Sequence, residues 1–187
     1  MSRVIALTGA AEYLGQNLIE YLSQVSPDID HFVGLDIRDM DRFQEIPLSF
    51  YKIDVKDKFS SVLEDHGVTD LLHMAWIVNP IHKTKNTFQV DVKETENILK
   101  ETYKAKIDYF LHTSSTLAYG AHPDNPYPLS ETDPLRGNKN FHYSYYKVLA
   151  KQVIDEFKGK YPNCMKIGKI RPSAIYHMIF RILLPTS

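Results

Sequence analysis

The chain has 187 residues, 43% hydrophobic and 24% charged, with one cysteine and a formal net charge of −1. That is an ordinary globular composition of about one domain; it gives no electrostatic reason for a nucleic-acid or anionic-membrane partner, and Cys164 alone forms no internal disulfide. Apolar runs stop short of the roughly 18 residues that span a bilayer, Thr8-Gly9 breaks the N-terminal apolar run before signal-peptide length, and the eight histidines lack metal-ligand spacing, so a cytoplasmic protein without metal is expected.

The first strand is predicted at Val4–Thr8 and leads through Thr8-Gly9-Ala10-Ala11-Glu12-Tyr13-Leu14-Gly15 into a helix over Gln16–Ser23. In a dinucleotide site the first glycine makes the tight turn, the second admits the pyrophosphate and the third lets helix pack on strand. Gly9 and Gly15 take the first and third places, while Glu12 puts a side chain and a negative charge in the second. Two glycines so spaced also suit an ordinary strand–helix turn. The second strand, His31–Asp36, ends in an acid 21 residues after Gly15, where a carboxylate can accept from adenine-ribose hydroxyls and repel the extra phosphate of NADP. The alternative is a surface Asp that starts a turn, and Arg38 nearby weakens the distinction between cofactors.

A third strand at Ser49–Ile53, a helix at Lys58–His66 and a fourth strand at Asp70–Ala75 follow. A long helix is predicted over Thr87–Lys104, then a fifth strand at Tyr109–Thr113 with Ser115 just beyond it. Gly120–Lys139 holds four prolines and reads as a long ordered loop, a kind usually tied to function. The next helix, His142–Lys160, carries Tyr143 and Lys147 four apart on one face. A lysine cation beside a tyrosine favours the phenolate and makes proton exchange with a hydroxyl feasible; an exposed surface pair, with Ser115 as a loop cap, is the alternative. A sixth strand is predicted at Met165–Arg171. Strands alternating with helices imply an α/β protein: a Rossmann-like, doubly wound parallel sheet with helices on both faces.

The ordered motifs resemble the extended short-chain dehydrogenase/reductases, the NAD-dependent epimerase/dehydratase group that includes UDP-galactose 4-epimerase and nucleotide-sugar dehydratases. The resemblance runs from Arg3 to about Tyr176. It is carried by the Thr8–Gly15 turn, Asp36, Asp54-Val55, His73-Met74-Ala75, Ser114–Gly120, Tyr143 with Lys147, and Arg171–Tyr176. It implies NAD as cofactor and a small-molecule substrate, expected to be a nucleotide sugar. Cofactor contacts are then expected at Gly9, Ala11, Glu12, Tyr13, Leu14, Gly15, Asp36, Ile37, Asp54, Val55 and Ala75, with Asp54 at the adenine edge. Ser115 and Tyr143 would act on the substrate carbinol, with Lys147 also holding the nicotinamide ribose. A homodimer is implied through two long helices, with Leu99, Val148, Val153 and Phe157 as a seam, although those residues also suit the chain's own sheet.

The departures from the pattern are Glu12, Asp91 in place of an active-site asparagine, and Ala174 and His177 in place of asparagine and glycine. Residues 1–176 are expected to form the NAD-binding domain and 177–187 a divergent apolar tail, with the C-terminal substrate domain of the relatives missing. Two further readings follow: an NAD-binding module without turnover, and a hydroxysteroid-dehydrogenase-like enzyme sharing the Ser/Tyr/Lys set.

Overall fold

The structure, a computed structural model, describes residues 3–40, 45–76 and 92–173. The expected Asp91, Ala174 and His177, the start of the long helix at Thr87, and the 177–187 tail lie outside the described residues. Six strands form one sheet: β1 (Arg3–Thr8), β2 (Ile29–Asp36), β3 (Leu48–Lys52), β4 (Asp70–His73), β5 (Tyr109–Thr113) and β6 (Lys166–Ile170). Their order is β3-β2-β1-β4-β5-β6, and each neighbouring pair is parallel. The helices are α1 (Tyr13–Val25), α2 (Ser60–Asp65), α3 (Glu94–Lys104) and α4 (His142–Lys160). None of the described helices is long and apolar enough to cross a membrane.

The period-2 pattern of the strands splits the core in two. Ile5 and Leu7 of β1, Phe32 of β2 and Leu72 of β4 pack with Leu18, Ile19 and Leu22 of α1. Their neighbours Ala6, Val33, Leu35 and Leu71 face the other way, onto Leu63, Ile98, Leu99, Ile154 and Phe157 of α2, α3 and α4. Helices therefore cover both faces. Leu7, Ile19, Leu35, Leu63, Leu71, Ile98 and Leu99 are wholly buried, each contributing on the order of 1.5–3 kcal/mol.

Several boundaries move. Helix α1 begins at Tyr13 rather than Gln16, because the extended Glu12 already accepts a hydrogen bond from the Gln16 N–H. Strand β4 ends at His73, so Ala75 lies past the strand, where the backbone turns against Gly9. The proposed dimer seam needs correcting. Leu99 and Phe157 lie in the chain's own core, Val153 packs against it, and Val148 is buried. These side chains are consumed within one protomer and give no argument for a second.

The strand order reverses between β1, which runs on to β2 and β3, and β4, which runs on to β5 and β6. Such a reversal opens a crevice outside the carboxyl ends of the strands. The ends of β1, β2, β4 and β5 deliver Gly9, Asp36, Ala75 and Ser115 to that same edge of the sheet.

Candidate functional site

Sterics in the first turn leave no choice at two positions. Gly9 has φ of +74°, and a Cβ there would sit 2.7 Å from the Ala75 nitrogen. A Cβ on Gly15 would collide with the carbonyl oxygen of Gly9. Glu12 differs: its backbone is extended, with φ of −73° and ψ of 160°, which any L-residue adopts. Its carboxylate reaches sideways to the Arg38 guanidinium at 2.7 Å. The charge expected to face a pyrophosphate is thus paired, on a largely exposed ion pair. No N-cap side chain takes up the first-turn N–H groups of α1, the arrangement in which a helix end attracts an anion.

Asp36 is 7% exposed, which sets aside the reading of a surface turn residue. One carboxylate oxygen accepts the Ala11 N–H at 3.0 Å and the other the Arg38 N–H at 2.9 Å. An ionised carboxylate has about four lone-pair sites, so acceptor capacity remains for a ligand. Ala11 therefore serves the turn by holding Asp36. Beyond β3, Asp54 accepts the Lys56 N–H at 3.1 Å and pairs with the Lys56 ammonium. The carbonyls of Val55 and Asp57 accept from the Asn97 side-chain amide at 2.7 and 2.9 Å.

Gly9, Glu12, Asp36, Ile37, Asp54, Val55 and Ala75 line one cleft, together with Trp76 and Glu94. Tyr13 is exposed at the start of α1, Leu14 half-buried and Gly15 buried in the turn. Among the described residues no group of His, Cys, Asp and Glu is arranged to hold a metal ion.

Tyr143 and Lys147 lie in the first turns of α4. Lys147 is 1% exposed, so the surface-pair reading fails. Its ammonium donates to the Thr113 carbonyl at 2.7 Å and lies 3.3 Å from the centre of the Trp76 ring and 5.5 Å from that of Tyr143. Trp76 meets Tyr143 edge-on with ring centres 6.3 Å apart. Ser115, two residues past Thr113, accepts the Leu117 N–H at 3.2 Å and so caps the short 3₁₀ turn Thr116–Tyr119. Ser144 binds the same turn to α4, donating to the Leu117 carbonyl at 2.6 Å and accepting the Asn138 N–H at 3.0 Å.

A second layer sits under this group. His73 shares a hydrogen bond of 2.8 Å with the Thr8 hydroxyl, and its ring lies 5.4 Å from that of His112. Burial, reinforced by the Lys147 charge, lowers the His73 pKa to about 3. Burial, with His73, Lys147 and Lys169 adding to it, pushes His112 well below its ordinary value. Both rings are neutral at pH 7.

Sequence reasoning missed Trp76, Asn97, Ser144 and the histidine pair. The one signal for Trp76 was local: the chain's single tryptophan directly follows Ala75. The others act through contacts from 27 to 42 residues away, which no local pattern displays.

A model of the NAD dependent epimerase/dehydratase family matches residues 5–176. UDP-glucose 4-epimerase of Erwinia amylovora is 25% identical over 175 residues, covering 88% of this chain and 51% of that protein. Mouse (Mus musculus) 3 beta-hydroxysteroid dehydrogenase type 7 is 24% identical over 195 residues, covering 95% and 52%. The chain thus spans about half the length of the curated relatives it matches. Among solved structures, UDP-glucuronic acid 4-epimerase from Bacillus cereus in complex with NAD superposes with a TM-score of 0.75 at 20% identity, covering 92% of this chain and 57% of that one. A UDP-glucose-4-epimerase from Stenotrophomonas maltophila, with bound NAD and formylated UDP-arabinopyranose, gives 0.76 at 18%, covering 91% and 52%.

Proposed function

The chain belongs to the NAD-dependent epimerase/dehydratase family, and from that premise we propose that its cleft binds NAD and serves oxidation at a hydroxyl of a nucleotide sugar. The observation that carries this reading is Asp36, a buried carboxylate at the end of β2 whose two oxygens are oriented by the N–H groups of Ala11 and Arg38. An acid fixed there, beside a turn with no room for Cβ at Gly9 or Gly15, fits a ribose diol with a diphosphate next to it. The names of the relatives and the ligands of the solved structures point the same way.

On this reading Gly9, Ala11, Glu12, Tyr13, Leu14 and Gly15 hold the diphosphate side, and Asp36, Ile37, Asp54 and Val55 the adenosine side. Ala75 flanks the path towards Tyr143 and Lys147. Bound NAD supplies the hydride acceptor. The protein supplies the proton path. A free tyrosine has a pKa of about 10, and the buried Lys147 cation near the Tyr143 ring stabilises the phenolate, which takes the proton of the substrate hydroxyl. Ser115, at the end of β5, orients that oxygen. A hydroxysteroid-type substrate is the second reading, favoured by the mouse relative; a module that holds NAD without turnover is the third.

Titration calorimetry with NAD and NADP tests the cofactor reading. NAD should bind and NADP should bind at least about tenfold more weakly, the scale of one unfavourable charge contact of about 1.4 kcal/mol. Asp36→Asn should narrow that gap. Equal affinities in the wild type would remove the role given to Asp36.

A further inference from the structure

The cleft that runs past Asp36 ends at Trp76, and Trp76 has an unusual neighbour. The Lys147 ammonium lies 3.3 Å from the centre of the indole ring, close contact for a cation over an aromatic face. Lys147 is 1% exposed and does not line the cleft, whereas Trp76 does. The indole therefore stands between the cleft and the cation. Among the described residues its ring contacts with His112, at 5.9 Å, and Tyr143, at 6.3 Å, are edge-on. Its Nε1–H is buried and has no hydrogen-bond partner among the described residues. A buried donor left unpaired destabilises the conformation that buries it, so this rotamer lacks the one bond that would lock an indole in place.

We propose that Trp76 is a displaceable cover on Lys147: a dinucleotide must move the indole to bring its second ribose to the cation, whereas a mononucleotide held at Asp36 need not. The inference rests on the NAD reading above and deepens it. Trp76 thereby separates ligands by length. An adenine mononucleotide occupies the Asp36 end with Trp76 in place. A full dinucleotide exchanges a cation–ring contact for hydroxyl oxygens on the Lys147 ammonium and lets the indole N–H reach a partner. Because the cover is lost on binding, it opposes dinucleotide affinity while shielding the cation in the empty protein.

The test uses the full chain with NAD and ADP as probes. Calorimetry on wild type, Trp76→Phe and Trp76→Ala should show NAD binding about tenfold tighter in Trp76→Ala, the scale of a desolvated cation–π contact. Trp76→Phe should fall between, since phenyl is the weaker cation partner, and ADP affinity should stay within about twofold throughout. The unaltered protein gives an independent readout, because Trp76 is its single tryptophan. Acrylamide should quench its fluorescence more strongly once NAD is bound, and no more strongly with ADP. An NAD affinity that Trp76→Ala leaves unchanged, or quenching that ADP alters as much as NAD, overturns the cover and leaves the cofactor reading standing. Failure of NAD to bind wild type and Trp76→Ala alike overturns the cofactor reading and this proposal together.

Discussion

Tyr143 and Lys147 illustrate how far a spacing carries. Four residues apart on a helix they share a face, and that much was legible in the sequence. Burial was not, because it depends on Trp76 from the end of β4 and on the Thr113 carbonyl from β5. With the cation held in a dry environment, its effect on the phenol is less screened than at a surface. Tyr143→Phe deletes one hydroxyl and keeps the ring contacts with Trp76 and Phe141. It should leave NAD binding intact and lower NAD reduction on nucleotide sugars by about 10²-fold or more, the scale of general acid–base loss. Full turnover in Tyr143→Phe, measured at 340 nm beside a separate binding titration, would remove the proton-transfer role. Asp36 was equally legible from its place at a strand end. The partnership of Glu12 with Arg38 was not, since spacing fixes where Glu12 sits but says nothing of where its carboxylate turns.

At the level of elements, α3 fastens the loops that frame the cleft. The Glu101 carboxylate, 1% exposed, accepts the N–H groups of Phe59 and Ser60 at 3.0 and 2.9 Å and thereby caps α2, whose own N-cap offers no side-chain bond. Burial acts to raise the Glu101 pKa, but hydrogen bonds from Lys104, Ser60 and Phe59 outweigh it and hold the group below its ordinary value. One turn earlier, Asn97 ties down the carbonyls of Val55 and Asp57. Glu101→Ala leaves two cap donors without a partner, at a cost of about 2–3 kcal/mol. For a domain of this size that corresponds to a Tm lower by about 5–10 °C, readable by circular dichroism; a change under about 1 °C would mean that water replaces the carboxylate. The strands and the α/β alternation were legible because hydrophobic periodicity is local. The N-terminal end of α2 was overread for the converse reason: its cap comes from 41 residues away.

For the whole molecule, the neutral histidine pair sets the behaviour in acid. His73 and His112 lie between Thr8, Phe110, Trp76 and the Lys147 cation, and their folded pKa values are lowered. An unfolded chain takes up protons on both rings from about pH 6.5 downward, whereas the folded chain does not until far lower pH. The unfolded state binds more protons across that window, so stability falls as pH falls. The limiting slope is about 1.4 kcal/mol per pH unit for each ring. Urea midpoints at intervals between pH 7.5 and 4.5 should therefore drop steadily, ahead of the carboxylate range where the Glu101 contribution is lost. His112→Phe should flatten that slope, because it removes one of the buried proton acceptors; an unchanged slope would assign acid sensitivity elsewhere.

The three places of the glycine turn answer to different constraints. At Gly9 and Gly15 an added methyl meets backbone that cannot withdraw, so these places are fixed by the sheet and helix whether or not anything binds. At residue 12 the extended backbone accepts any L-residue, and the side chain answers only to the exposed Arg38 ion pair and to an occupant of the cleft. Folding therefore constrains position 12 only weakly, since an exposed ion pair contributes little to stability, and a ligand in the cleft constrains it more. A lineage can exchange that residue, and with it the cleft's tolerance for negative charge, without passing through an unstable ancestor.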